Sequence, residues 1–274
     1  MTARQRLEEV LRETGLIAKK SLGQNFLVSD NVIAKILGEA AKFDARHLLE
    51  IGPGPGALTQ DLRRRGLPYT VIELDRTMAD YWRAQGLNVI EEDALRIDWK
   101  SLIGEKTLLV SNLPYQISSS LVIDRSLDEK PLMGMVLMFQ KEVAQRIRAA
   151  ASSEHYGLLS VIAQNFWRTW LVSEAGPKDF WPPPKVASRV LGFEPLDVAG
   201  LNRQGFLNFV KAAFAQRRKL LKSNLSVWLS SRRIPPEKLL AKIDAFGLKE
   251  TVRAEELTPA RFRELYEHFD HSRE

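Results

Sequence analysis

The segment that most restricts the fold is LLEIGPGPGALTQDL, Leu48 to Leu62, an apolar run that breaks into alternating glycine and proline and then resumes at helical spacing. It reads as a buried strand, a tight turn and a helix, the first unit of an open parallel sheet. Gly52, Gly54 and Gly56 let a ligand approach the backbone closely at the carboxyl end of a strand, where such sheets bind ligands. Further runs rich in Val, Ile and Leu are expected to be strands at His47–Ile51, Tyr69–Glu73, Asn88–Glu91, Thr107–Ser111, Gly134–Phe139, Trp167–Val172 and Ala187–Glu194. Amphipathic stretches separate them, as in an α/β domain with a mainly parallel sheet. The link GPKDFWPPPK is too short for a crossover helix, so the last strand is expected to run antiparallel. Beyond FEPLDVAG the spacing is helical only. A boundary near residue 195 therefore divides an α/β domain, 1–195, from a smaller all-α domain, 196–274.

The turn has the G-x-G-x-x-A spacing of a dinucleotide site, with Glu73 about 20 residues on. Pyrophosphate, however, is held by backbone N–H groups at a helix N-terminus, and Pro53 and Pro55 each remove one. A nucleoside ligand without phosphate tolerates that loss. S-adenosylmethionine is such a ligand: Glu73, after the second strand, suits its ribose hydroxyls, and Asp93, after the third, suits its adenine edge.

The fourth strand ends in Asn112-Leu113-Pro114-Tyr115, which points into the same crevice. An exocyclic adenine amine is a poor nucleophile because its lone pair is delocalised into the ring. Two acceptors, the Asn112 side-chain carbonyl and the backbone carbonyl of Leu113 or Pro114, can draw the amine towards tetrahedral geometry. Tyr115 offers a stacking face worth about 1–3 kcal/mol, and Phe180 in DFWPPPKV is a candidate second plate. Such a pocket takes only an unpaired or flipped base.

Cysteine is absent, and His47, His155, His268 and His271 form no metal-ligand spacing, so disulfides, a thiol nucleophile and a catalytic metal are not expected. No apolar run approaches the ~20 residues of a membrane span, and the polar start has no signal-peptide core, so a cytoplasmic protein without a membrane partner is expected. Net charge is +6, compatible with a polyanionic partner. From Val198 to Pro236 there is no Asp or Glu, while Lys211, Arg217, Arg218, Lys219 and Lys222 recur. On one continuous helix Phe206, Val210, Ala213, Phe214, Leu221, Leu225 and Trp228 would form an apolar stripe and Lys211, Arg218 and Lys222 would fall together on another face, a candidate phosphate-binding surface. Lys19, Lys20, Arg146 and Arg148 are expected to extend it across the α/β domain.

With these residues in place the chain resembles the KsgA/RsmA-type small-subunit (16S) rRNA adenine N6,N6-dimethyltransferases, which are related to the Erm resistance methyltransferases. The likeness runs through KKSLGQNFL, EIGPGPGALT, VIELD, DAL, NLPY, FQKEVAQRI, PPPKV, FAQRRKLLKSNL and RAEELTPARF, in order over nearly the whole chain. It implies a Rossmann-like class I methyltransferase sheet, S-adenosyl-L-methionine as cofactor, and dimethylation of two adjacent adenosines in the 3′-terminal hairpin loop of small-subunit rRNA. The partner implied is the assembling 30S subunit, met by a monomer. Gln24, Asn25 and Leu27 would flank the methionine end of the cofactor, and Gly52, Gly54, Glu73, Leu74, Asp93, Ala94 and Asn112 would complete its pocket. Asn112, Leu113, Pro114 and Tyr115 would hold the target adenine, with Phe180 as the second plate. The chain departs from the family at Glu92, where glycine is usual, and at Ala187-Ser188-Arg189 after PPPKV. The segment before Lys19 is longer than the first motif needs. The competing readings are an Erm-like large-subunit enzyme, a non-catalytic rRNA-binding assembly factor and an NAD-dependent dehydrogenase.

Overall fold

The computed structural model describes residues 1–15 and 25–270. The main sheet contains β2 (His47–Ile51), β3 (Tyr69–Glu73), β4 (Asn88–Glu91), β5 (Thr107–Asn112), β6 (Gly134–Gln140), β7 (Trp167–Ala175) and β9 (Ser188–Pro195). Their order is β4-β3-β2-β5-β6-β9-β7. Strands β2 through β6 pair in parallel, and β9 runs antiparallel to β6, from Met135 opposite Phe193 to Gln140 opposite Ser188. Strands β2, β3, β5 and β6 are buried on both faces, which is why each reads as a continuous apolar run rather than an alternating one. A separate two-stranded ladder joins β1 (Phe26–Leu27) to β8 (Phe180–Trp181). Strands of two residues leave no periodicity, and neither was expected.

Helices cover the sheet. In α2 (Asp30–Ala40), Val32, Ile33, Ile36 and Ala40 turn inward at helical spacing. The next helix, α3 (Thr59–Arg63), is shorter than the sequence suggests. The chain before it stays in the turn, with φ +62° at Gly52 and +85° at Gly56. Asp75 starts α4 (Arg76–Ala84), its side chain accepting from the N–H groups of Thr77 and Met78, an N-cap that satisfies donors the first helical turn leaves open. After α5 (Trp99–Leu102), α6 (Ser118–Leu127) follows the Asn112–Tyr115 turn, and α7 (Lys141–Ile147) follows β6. The N-terminal residues, given no element above, form α1 (Ala3–Thr14), begun by a capping box between Thr2 and Gln5 and burying Ala3, Leu7 and Val10.

The chain divides into two compact units, Met1–Ala144 with Arg168–Pro195, and Gln145–Trp167 with Leu196–Glu274. Residues 145–167, which the sequence reading joined to the α/β domain, thus belong with the helical unit. There α8 (Leu158–Phe166) is held by the Asn165 carboxamide donating to the Pro259 carbonyl at 3.0 Å and by Phe166 against Phe206. The expected continuous helix is broken into α9 (Arg203–Ala213) and α10 (Leu221–Ser230). Asn224 bridges the break, donating to the carbonyls of Ala213 at 2.7 Å and Gln216 at 3.0 Å. Phe206, Val210, Leu221, Leu225 and Trp228 nevertheless remain buried. After α11 (Pro236–Ala245), α12 (Pro259–Asp270) sets Tyr266 against Phe206, Phe262 against Phe209 and Phe269 against Trp228.

Candidate active site

Strands β2 and β5 are parallel neighbours whose chains leave towards opposite edges of the sheet, so a crevice opens beyond their carboxyl ends. The Ser111 hydroxyl donates to the Ile51 carbonyl at 2.6 Å and ties the two strand ends together. The Asn112–Tyr115 turn packs against the glycine turn, where a Cβ on Gly52 would stand 3.4 Å from Pro114, an ordinary contact; it is the left-handed backbone at Gly52, φ +62°, that favours glycine there. Trp82 of α4 donates to the Gly54 carbonyl at 2.9 Å and fills the space a Gly56 side chain would need, 2.6 Å away.

One cavity collects the residues singled out from the sequence. Asn25, Leu27, Gly52, Gly54, Glu73, Leu74, Asp93, Ala94, Asn112, Leu113, Pro114 and Tyr115 all line it. Gln24 lies outside the described residues. Glu92, singled out above as a departure from the family, lines it too, as do Ala3 and Leu7 of α1, Phe26, Glu50, Gln116 and Ile117, to which no role was assigned from the sequence. Of these only Glu50 carries a sequence signal, a carboxyl in the middle of a buried apolar strand.

The wall is acidic. Glu50, Glu73, Glu92 and Asp93 line it, with no Lys or Arg among the described lining residues. Glu50 is fully enclosed, and burial raises its pKa to about 7 against the hydrogen bonds from Tyr69 and Thr59 that favour its ionised form. Burial also pushes Glu73 above the ordinary carboxylate range. Its oxygens accept from the N–H groups of Gly54 at 3.3 Å and Asp75 at 2.8 Å, and each keeps acceptor capacity for a ligand hydroxyl. Such a lining offers a dinucleotide's pyrophosphate no counter-charge and suits a cation, which favours the ionised carboxylates.

The Asn112 amide donates to the Asn25 carbonyl at 3.3 Å. A carbonyl only accepts, so the NH₂ must face it and Oδ1 is left as an outward acceptor. The Pro114 carbonyl accepts the turn bond from the Ile117 N–H at 3.2 Å, which makes Leu113 the better candidate for second acceptor. The Tyr115 hydroxyl meets the Ser188 hydroxyl of β9 at 2.8 Å, which fixes the far end of the ring. The expectation for Phe180 is not met. It is 3 % exposed, pairs with Leu27 across the β1–β8 ladder and is not in the cavity wall. Alternation along β8 turns Phe180 inward and leaves Trp181 half-exposed.

Residues 15–271 match the ribosomal RNA adenine dimethylase family. The chain belongs to that family. It is 56 % identical to the ribosomal RNA small subunit methyltransferase A of Bdellovibrio bacteriovorus, over 97 % of this chain and 98 % of that one. Identity to the protein of the same description in Desulfitobacterium hafniense is 38 %, over 92 % of each chain. The crystal structure of a dimethyladenosine transferase from Plasmodium falciparum superposes with a TM-score of 0.74 at 25 % identity, covering 90 % of this chain and 98 % of that one. The 23S rRNA methyltransferase ErmE gives 0.64 at 23 %, covering 90 % and 100 %, a likeness of fold.

As a member of the rRNA adenine dimethylases the protein is a methyltransferase that uses S-adenosylmethionine. The cationic donor fits the acidic, phosphate-averse lining described above. Among the described residues no group of His, Asp and Glu could hold a metal ion, and no helix is long and apolar enough to cross a membrane.

The basic residues expected to bind RNA separate into two kinds. Lys19 and Lys20 lie outside the described residues. Arg146 and Arg148 are exposed and belong to the helical unit, so they do not extend the surface across the α/β domain. Lys211, Arg218 and Lys219 are exposed without an ion pair among the described residues. Arg217, by contrast, pairs with Glu255 at 2.8 Å and donates to the Glu154 carbonyl, and Lys222 pairs with Glu250 at 3.1 Å. The acid-free stretch is partly neutralised by acids from outside it.

Proposed function

We propose that this protein dimethylates N6 of two adjacent adenosines in the 3′-terminal hairpin loop of small-subunit (16S) rRNA, acting in the cytoplasm as a monomer on the assembling 30S subunit. The observation that carries the chemistry is the Asn112–Tyr115 turn at the switch point, with the Asn112 oxygen turned outward by Asn25. The choice of subunit rests on the relatives described as small-subunit enzymes, similar over nearly their whole length.

When bound, S-adenosylmethionine supplies an electrophilic methyl on a sulfonium. Glu73 and Asp93 hold the nucleoside part of that ligand. Asn112 Oδ1 and the Leu113 carbonyl accept the two N–H bonds of the target amine and orient its lone pair, while Tyr115, anchored by Ser188, stacks on the base. The new N–C bond forms as the methyl's bond to sulfur breaks; the amine proton becomes acidic only then and can pass to water, so no strong general base is needed and positioning supplies most of the rate. An intact turn argues against a non-catalytic assembly factor, and the acidic lining against an NAD-dependent dehydrogenase.

Methyl transfer from labelled donor to unmodified small and large ribosomal subunits tests the reading. Label is expected in the small subunit, mapping after digestion to N6,N6-dimethyladenosine near the 3′ end. Label confined to the large subunit would instead support the Erm-like alternative.

Phosphate contacts by Lys211, Arg218 and Lys219 make RNA affinity salt-dependent. Arg218→Ala with Lys219→Ala is expected to flatten the slope of log affinity against log salt by roughly 1 to 2. Arg217→Ala should flatten it less, since Glu255 already neutralises that guanidinium. Filter binding across a salt series reads both slopes.

A further inference from the structure

The family match begins at residue 15, so α1 lies ahead of it. Its sequence is ordinary for an amphipathic surface helix, yet two of its residues reach the cavity. Ala3 and Leu7, four apart and therefore on one face, line it beside Pro53, Pro55, Ala57 and Leu58. Val10 continues that face and is also buried, but does not line the cavity.

The helix is fastened at this end by contacts with α2 and α3. The Ala3 N–H donates to the Asp30 side chain at the start of α2, at 2.8 Å. Arg6 pairs with Asp61 of α3 at 3.6 Å, with both side chains mostly buried. The capping box then fixes the first turn.

The proline-interrupted turn has few N–H groups to offer a ligand on this side, so contact there is apolar. We propose that α1 is part of the S-adenosylmethionine site, with Ala3 and Leu7 forming an apolar cover beside the glycine turn that holds the cofactor in and water out. The inference rests on the methyl-donor reading of the cavity. It assigns cofactor contacts to a helix that lies ahead of the residues matched to the family.

Equilibrium binding of S-adenosylmethionine and S-adenosylhomocysteine to the full chain, by calorimetry, tests it without any turnover. Leu7→Ala, which strips the cover, and Ala3→Leu, which pushes bulk into the cavity, are each expected to weaken binding about tenfold. Val10→Ala removes buried contacts from the same face without touching the cavity and should bind within about twofold of the parent. Thermal unfolding of all three shows that they are folded when compared. Parent-like affinity in Leu7→Ala and Ala3→Leu, or equal weakening in Val10→Ala, overturns the proposal. Failure of the parent chain to bind either ligand would overturn the methyl-donor reading itself, a different result.

Discussion

Asn112→Ala is expected to lower kcat for methyl transfer about a hundred- to a thousandfold, the loss typical of removing one positioned hydrogen-bonding group that acts in the transition state. Alanine removes Oδ1 and leaves the Leu113 carbonyl, so the amine keeps one acceptor of two and its lone pair is no longer aimed. RNA affinity, dominated by phosphate contacts, should change little, which puts the defect in kcat rather than KM. Asn112→Asp separates the acceptor from its orientation. The aspartate retains acceptor oxygens, but a carboxylate cannot donate to the Asn25 carbonyl, and it adds charge beside Glu50 and Glu73. It should therefore be nearly as slow as alanine. Single-turnover methylation of unmodified small subunits measures both variants, and an Asp variant with parental kcat would show that the bond to Asn25 does not matter.

The same geometry bears on how two methyls are placed on one nitrogen. After the first, the amine has a single N–H for two acceptors, so the second transfer leans more on stacking. Phe180 was expected to supply half of that stack, but its ring is enclosed in the core. On the proposed function the stacking falls on Tyr115, whose phenol is pinned by the Ser188 hydroxyl.

The sheet was legible because burial on both faces writes each central strand as an unbroken apolar run, and the glycine turn because few other structures need three glycines at that spacing. Phe180 was misread because a motif fixes a residue's place in the chain, whereas the face it turns to depends on a two-residue ladder with Phe26 and Leu27 that leaves no period. The helical unit was misjudged for a similar reason. Residues 145–167 carry an ordinary helical pattern, and only their packing against α9 and α12 assigns them to the second unit. Charge was the least legible feature. Counting acids along the chain could not reveal that Glu255 and Glu250 return to neutralise Arg217 and Lys222. Nor could the sequence show that α1 reaches the cavity, because an amphipathic helix does not name the surface it covers.

Glu50 should make stability fall as pH rises, and Glu50→Gln should remove that dependence. The carboxyl is 2 % exposed in β2 and accepts hydrogen bonds from the hydroxyls of Thr59 and Tyr69. Burial lifts its pKa from 4.5 to about 7. A raised carboxyl pKa means that the folded chain holds the proton more tightly than the unfolded one. Its contribution is fully present below pH 4.5 and is lost as pH rises through about 7. At about 1.4 kcal/mol per pH unit, that window corresponds to roughly 3 kcal/mol. Glutamine is neutral throughout and keeps an oxygen to accept from the two hydroxyls. The stability of the parent relative to Glu50→Gln should therefore drop by roughly 3 kcal/mol between about pH 4.5 and pH 8, measured by urea unfolding at each pH so that effects common to both chains cancel. A difference that stays flat across that range would mean that Glu50 titrates at its ordinary value in the folded protein, its two hydroxyl donors offsetting the burial. Glu50 and Glu73 also raise each other's cost of ionising, and a bound cation offsets that repulsion. The pH dependence should therefore shrink when saturating S-adenosylmethionine is present, because the ligand favours the ionised wall that the empty pocket resists.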